Sequence, residues 1–291
     1  MPLSMLSISP PSAPPSLPPS VLWHSSLLED TPSKYLVTLT LNRPSKLNAF
    51  TAPLLDGLCA CLSKLLSLPP EELAAVVLTG AGRAFCAGAD LSDPPDPRVH
   101  SSLRPADLRR NPVHLMSQLR VPVVGALNGP AFTGGLELAL ACDVLVAGPA
   151  LVMRDTHCRF GIAPCWGLSQ RLQRIVGRGR ASYVSLAGQP VDAATALRWG
   201  LVQEVVGGGE GAALERAREL CEDIGAQDAG MVAFYKRNLE GGGGMTLGDG
   251  MEFERERADG YYRTQGKQML DNVRAFMGGG DEEGAWLRSN L

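Results

Sequence analysis

Hydrophobic and polar positions along this chain switch between two periods. In Tyr35–Leu41, Leu36, Thr38 and Thr40 alternate with Val37, Leu39 and Leu41, which is the period of a strand. Asn42-Arg43-Pro44 closes that strand with turn chemistry. Leu54, Leu55, Leu58, Leu62 and Leu65 then recur at helical spacing, and Pro69-Pro70 ends the helix. Ala74–Thr79 predicts a short buried strand. Ser92 to Arg110 is polar, holds four prolines and predicts a mobile loop. A helix over Pro112–Leu119 and a strand over Pro122–Leu127 follow. Farther on, the pattern predicts helices over Gly135–Cys142, Leu168–Val176, Arg180–Leu186 and Asp192–Trp199. Strands are predicted over Asp143–Ala147 and from Gly200 to Val206. Beyond a Gly-rich hinge at Gly207–Gly211 the chain reads as helix: Ala212–Ala226, Met231–Leu239 and Gly250–Met277, broken at Gly241–Gly244. Strands alternating with helices predict an α/β fold with a helical C-terminal appendage.

Bulk properties narrow the classes. At 291 residues the chain can bury a full core without disulfides. The net charge of -3, with signs interspersed, argues against nucleic acid as the partner. The longest apolar runs, such as Leu136–Ala150, carry Glu137 and Asp143, so no segment reaches the roughly 18 uncharged residues that span a bilayer. The seven cysteines are scattered, with no C-x-x-C pair, which points to a reducing compartment and no structural metal site. Residues 1–32 form a Pro/Ser-rich segment expected to be disordered. Its start is acid-poor and Ser-rich like a transit peptide but lacks arginines. The chain ends in Ser289-Asn290-Leu291, close to a peroxisomal address. Peroxisomal location is the first expectation, with mitochondrial, plastid and cytoplasmic location as alternatives.

Two small-residue runs carry the candidate chemistry: Ala84-Phe85-Cys86-Ala87-Gly88-Ala89-Asp90-Leu91 and Asn128-Gly129-Pro130-Ala131-Phe132-Thr133-Gly134-Gly135-Leu136-Glu137. Each sits where the chain leaves an apolar strand. Small residues let a ligand approach backbone N–H groups. Gly134 and Gly135 open a helix, whose first N–H groups have no intrahelical acceptor and lie at the positive end of its dipole. The first run offers a second donor at Ala89. Two converging N–H groups hold a developing oxyanion. Glu137 on the first turn supplies an adjacent acid/base, the combination needed for chemistry beside a thioester carbonyl. Asp90 reads as a turn or capping residue.

These residues resemble the crotonase, or enoyl-CoA hydratase/isomerase, superfamily. The matching stretches are Leu41–Ala49, Val76–Leu91, Leu127–Asp143, Asp155–Pro164 and Gly200–Val202. Asp155-Thr156-His157 with Cys165–Gln170 is most similar to the plant monofunctional peroxisomal hydratase branch. The resemblance covers roughly residues 33 to 278. It implies a spiral of ββα turns over 33–207 and a C-terminal helical trimerisation region over 208–291. It also implies a homotrimer, or a hexamer made of two trimers, acting on an acyl-CoA thioester. The oxyanion donors would be the N–H groups of Ala89 and Gly134, and Glu137 would be the first catalytic acid. Substrate-binding residues would be Lys46, Leu47, Ala87, Gly88, Asp90, Leu91 and Trp166, with Trp166 either lining the acyl pocket or packing. No metal or redox cofactor is expected.

One departure stands out. Two-carboxylate hydratases place a second glutamate four residues before the glycine that is Gly161 here, and this chain has His157 there. An imidazole keeps proton-transfer capacity near neutral pH. The leading expectation is a 2-enoyl-CoA hydratase using Glu137 and His157. A Δ3,Δ2-enoyl-CoA isomerase, a thioester hydrolase and a non-catalytic or RNA-binding member are the alternatives. The RNA-binding reading needs a Lys-rich helical face, and Leu54–Leu66 offers only Lys64. His24, His100 and His114 are assigned no role.

Overall fold

The computed structural model describes residues 11–278, apart from positions 30, 32, 70, 103, 105 and 106. Residues 1–10 and the Ser289–Leu291 tail lie outside the described residues. The chain divides into two compact units after Lys236.

The first unit opens with strands β1 (Val21–Leu27) and β2 (Tyr35–Leu41), helix α1 (Ala52–Leu66) and strand β3 (Leu73–Gly80). Two short helices, α2 (Pro97–His100) and α3 (Pro112–Gln118), lead to β4 (Val123–Leu127). The next turn is β5 (Ala131–Phe132) and α4 (Gly134–Ala139), and the following one is β6 (Val144–Ala147), β7 (Val152–Arg154) and α5 (His157–Phe160). Helix α6 (Leu168–Ser185), β8 (Val191–Asp192), α7 (Ala193–Arg198), β9 (Glu204–Val205) and α8 (Ala212–Gly225) complete the spiral. Helix α9 (Ala229–Gly242) spans the unit boundary, and α10 (Leu247–Gly278) belongs to the second unit.

Six strands form one sheet in the order β1-β2-β3-β4-β6-β9, and β5-β7-β8 form a second. Within the large sheet only β1 runs antiparallel. The turns β4-β5-α4 and β6-β7-α5 each place a strand in the large sheet, a short strand in the small one, then a helix, and in the turns after β2 and β3 single bridges at Phe50 and Cys86 stand where the short strand would be. This is the expected α/β spiral of ββα turns.

Period-2 alternation in β2 sorts its side chains between two cores. Val37, Leu39 and Leu41 join the larger core with α1, whose Leu54, Leu55, Leu58, Leu62 and Leu65 form the buried stripe. Leu36 faces the other way, with Ala75, Val77, Val124 and Val146, onto Ala213, Ala217 and Cys221 of α8. The large sheet is therefore covered on both faces, as parallel strands require. That packing moves the unit boundary from the expected 207/208 to the end of α9's first half, because α8 is part of the core.

A second correction concerns the N-terminal segment. Val21–Leu27, placed by sequence in the disordered stretch 1–32, is a full edge strand registered against all of β2, Val21 opposite Leu41 and Leu27 opposite Tyr35. Its anchor is Val21, which is buried in the larger core. The two helices predicted over Leu168–Val176 and Arg180–Leu186 form one element with a non-helical residue, Gly177, at the joint. The second unit has its own packing: Phe253 lies over Gly241, and the Arg257 guanidinium sits 5.3 Å from the Phe253 ring.

Candidate active site

The first small-residue run threads between two neighbours. On one side Phe50 forms a parallel bridge to Ala89: the Phe50 N–H donates to the Gly88 carbonyl (2.7 Å) and the Asp90 N–H donates to the Phe50 carbonyl (2.9 Å). Such a bridge uses the peptide groups flanking Ala89, so the Ala89 N–H points away from Phe50. It has no acceptor among the described residues. On the other side Cys86 bridges Ala131, which extends the small sheet and brings the second run alongside. A Cβ added to Gly88, at φ +87°, would lie 2.9 Å from the Phe132 carbonyl oxygen and 3.4 Å from the Gly134 nitrogen. Only glycine allows that approach.

Gly134 is the first residue of α4, so its N–H has no intrahelical acceptor. The residue before it, Thr133, holds φ 52° and ψ −114°, a conformation that L side chains rarely adopt. Such strain costs on the order of 1–3 kcal/mol and persists only where the surroundings enforce it. Here the Thr133 hydroxyl bonds the Thr156 hydroxyl and accepts the Thr156 N–H, while the Thr133 N–H donates to the Arg154 carbonyl (2.8 Å). The strained turn holds the Gly134 nitrogen 3.4 Å from where a Cβ on Gly88 would stand, so the two runs meet there.

Glu137 is buried one turn into α4, 2 % exposed. Its Oε1 accepts the N–H groups of Trp166 (2.8 Å) and Leu168 (3.2 Å). Its Oε2 lies 3.6 Å from His157 Nε2. Burial pushes the Glu137 carboxyl above the usual carboxylate range, and the two N–H donors and His157 offset this only in part. The His157 ring, also buried, points Nδ1 at Asp155 Oδ1 (2.8 Å), the oxygen that also accepts the His157 N–H (2.9 Å). Burial of Asp155 works against its charge, yet bonds from the His157 ring and N–H and from Ser185 hold its carboxyl below the usual range. Asp155, His157 and Glu137 thus form one buried line.

Trp166 does more than pack. Its N–H holds Glu137, its indole N–H donates to the His100 carbonyl (2.8 Å), and its ring stands edge-on to Phe50 with centroids 5.5 Å apart. His100 is a further correction: it is buried, with Nε2 3.0 Å from Asp56 Oδ1, inside the stretch expected to be a mobile loop. No periodic signal marks it, because α2 is a single turn capped by Asp96.

A cavity of about 210 Å³ opens beside Ala89 and Thr133, the residue before Gly134. Lys46, Ala87, Ala89, Asp90 and Leu91 line it with Thr133 and Thr156. Leu47 is set back as a left-handed residue whose carbonyl accepts the Ala87 N–H (2.9 Å). Asp90 is a strut, as expected: it pairs with Arg43 (2.9 Å) and accepts the Ser92 N–H and hydroxyl, which hold its carboxyl far below the usual range. A larger cavity of about 510 Å³, at the strand ends near Thr40, Arg83 and Gly208, touches none of these residues.

A family model described as enoyl-CoA hydratase/isomerase matches residues 32–277. The chain belongs to the enoyl-CoA hydratase/isomerase family. A protein named probable enoyl-CoA hydratase 1, peroxisomal, from Arabidopsis thaliana is 40% identical over 247 residues, 84% of this chain and 89% of that protein. A putative enoyl-CoA hydratase/isomerase of Bacillus subtilis is 32% identical over 252 residues, covering 86% and 95%. The crystal structure of an enoyl-CoA hydratase from Bacillus anthracis superposes with a TM-score of 0.74 at 30% identity, covering 89% of this chain and 96% of that one. In this family member, the N–H groups of Ala89 and Gly134 have no acceptor among the described residues, and a buried carboxyl and imidazole, Glu137 and His157, lie 3.6 Å apart.

Proposed function

We propose that this family member is a hydratase that adds water across the C2=C3 bond of a 2-enoyl-CoA thioester, giving a 3-hydroxyacyl-CoA. The observation that carries the reading is the pair Glu137 and His157, 3.6 Å apart and buried beside two unpaired N–H groups. A one-base isomerisation leaves the second group without work, whereas hydration needs one group to take a proton and another to give one. In this reading the thioester oxygen sits between the N–H groups of Ala89 and Gly134. Glu137 Oε2 takes a proton from water as the water oxygen bonds C3. The electron pair moves to the thioester oxygen, where the two donors stabilise it. His157 Nε2 then delivers a proton to C2. The reading needs no metal or redox cofactor.

Lys46, at the cavity mouth, is the residue we assign to the phosphates of coenzyme A. The exposed Leu247, Met251 and Tyr262 of α10 fit a subunit-contact role, hence a homotrimer or a dimer of trimers, which sedimentation velocity tests. Peroxisomal location rests on the name of the Arabidopsis relative.

The deciding experiment incubates the protein with 2-enoyl- and 3-enoyl-CoA thioesters and follows products by mass. Gain of one water supports hydratase. A shifted double bond at unchanged mass replaces it by isomerase, and release of free coenzyme A replaces it by hydrolase.

A further inference from the structure

Nothing in the hydratase reading uses Asp155, yet it is 3 % exposed and makes two hydrogen bonds to one residue. One carboxylate oxygen receives both the His157 N–H (2.9 Å) and its Nδ1 (2.8 Å). The main-chain bond fixes the carboxylate oxygen, and that oxygen holds the ring at Nδ1. A carboxylate only accepts, so Nδ1 must carry the proton. In the neutral imidazole the lone pair then sits on Nε2, and in the charged imidazolium Nε2 carries the second proton. Either way the exchangeable proton of His157 is at Nε2, the atom facing Glu137 Oε2.

The geometry points to Asp155 as a positioning residue that fixes the tautomer and direction of His157, so that a carboxylate–imidazole pair takes the place of a second catalytic carboxylate. This rests on the hydratase reading and deepens it. Charged groups within ion-pair distance of the ring are, among the described residues, Asp155 at Nδ1 and Glu137 at Nε2. Arg154, next along the chain, turns its guanidinium away to the Gly188 carbonyl (2.7 Å). The ring thus lies between two carboxyl groups, one at each nitrogen.

The proton count closes over one turnover. Glu137 begins ionised and His157 begins as imidazolium. A water O–H bond breaks and its proton goes to Glu137 Oε2 as the C3–O bond forms. The Nε2–H bond breaks and that proton goes to C2 as the electron pair returns from the thioester oxygen. Glu137 is left protonated and His157 neutral, with its lone pair at Nε2. The 3.6 Å separation closes to a direct hydrogen bond with a few tenths of an ångström of side-chain movement, so the proton returns from Oε2 to Nε2 within the site. Only the tautomer that Asp155 enforces allows this return.

The test is Asp155→Leu, which is close in size and leaves Nδ1 no acceptor, so that nothing enforces the Nδ1-protonated tautomer. Two readouts are taken on the full-length protein. Long-range 1H–15N spectra of histidine-labelled protein report the His157 tautomer, assigned with His157→Gln. Steady-state hydration of a short 2-enoyl-CoA from about pH 5 to 9 reports the proton work. Expected are a protonated Nδ1 in the neutral wild-type ring, loss of that fixed tautomer in Asp155→Leu, and a kcat lower by about 10²- to 10⁴-fold with little change in KM. A wild-type ring protonated at Nε2 overturns the proposal, and so does an Asp155→Leu protein that keeps the wild-type tautomer or the wild-type rate. If the wild type hydrates nothing, the hydratase reading fails alone, and the tautomer comparison still decides for or against the role of Asp155.

Discussion

Glu137 is where burial and chemistry pull against each other. Its carboxyl is raised by burial, so ionising it costs folded-state stability. A group with a raised folded pKa contributes stability that is full below its ordinary value of 4.5 and is lost as pH rises through the folded value. Glu137→Gln removes that loss while keeping an oxygen for the Trp166 and Leu168 N–H groups. The variant is expected to lose about 10²- to 10⁴-fold in kcat, with coenzyme A binding retained. Its melting temperature relative to wild type should be higher at pH 8 than at pH 5. Turnover assays and thermal scans at the two pH values check both statements; near-normal turnover removes Glu137 from the chemistry.

At the scale of elements, the oxyanion site depends on contacts no side chain supplies. Gly88 brings the first run against α4, and a Cβ there would meet the Phe132 carbonyl oxygen at 2.9 Å at an unfavourable φ of +87°. Gly88→Ala is therefore expected to destabilise by more than about 1 kcal/mol, seen in urea unfolding. It should also lower kcat, because it moves Ala89 and Gly134 apart. Gly134→Pro deletes one donor, which typically costs about 10²–10³ in kcat. Proline also drives the preceding residue toward extended backbone, which Thr133 at ψ −114° does not occupy, so circular dichroism must accompany the assay. A folded Gly134→Pro protein with wild-type rate would place the hole elsewhere.

The first unit as a whole is held by a buried cation as well as by its two cores. Lys236 Nζ, on α9, reaches Asp143 Oδ2 (2.7 Å) and the Val121 carbonyl (3.1 Å). The same Asp143 oxygen accepts the Val123 N–H, tying the entry of β4 to the entry of β6. Removing one partner of a buried pair typically costs about 3–5 kcal/mol. Lys236→Met should fall at the low end, because Asp143 keeps 24% side-chain exposure and can be rehydrated. Denaturant unfolding measures the loss, and turnover of the folded fraction should be unchanged. Stability equal to wild type would show that Asp143 finds water without strain.

Periodicity alone determined much of this protein. The β2 alternation, the α1 leucine stripe and the small residues at Ala87–Ala89 and Gly134–Gly135 are local facts, and each predicts local geometry: strand, helix, exposed N–H groups. Edge strand β1 and the two-residue strands of the small sheet were not legible, because so short or mixed a pattern has no period and exists only through its partners. Sequence also singled out His157 by position, but not what Asp155 does to it, since a spacing of two residues fits many turns. Burial of His100 beneath Trp166 was equally hidden, because a single-turn helix carries no hydrophobic face. Tertiary structure decided these points for one physical reason. A backbone N–H, an imidazole and a carboxyl acquire their chemistry from what surrounds them, and only the fold brings residues as far apart as Phe50, Ala89, Gly134 and His157 into one buried neighbourhood.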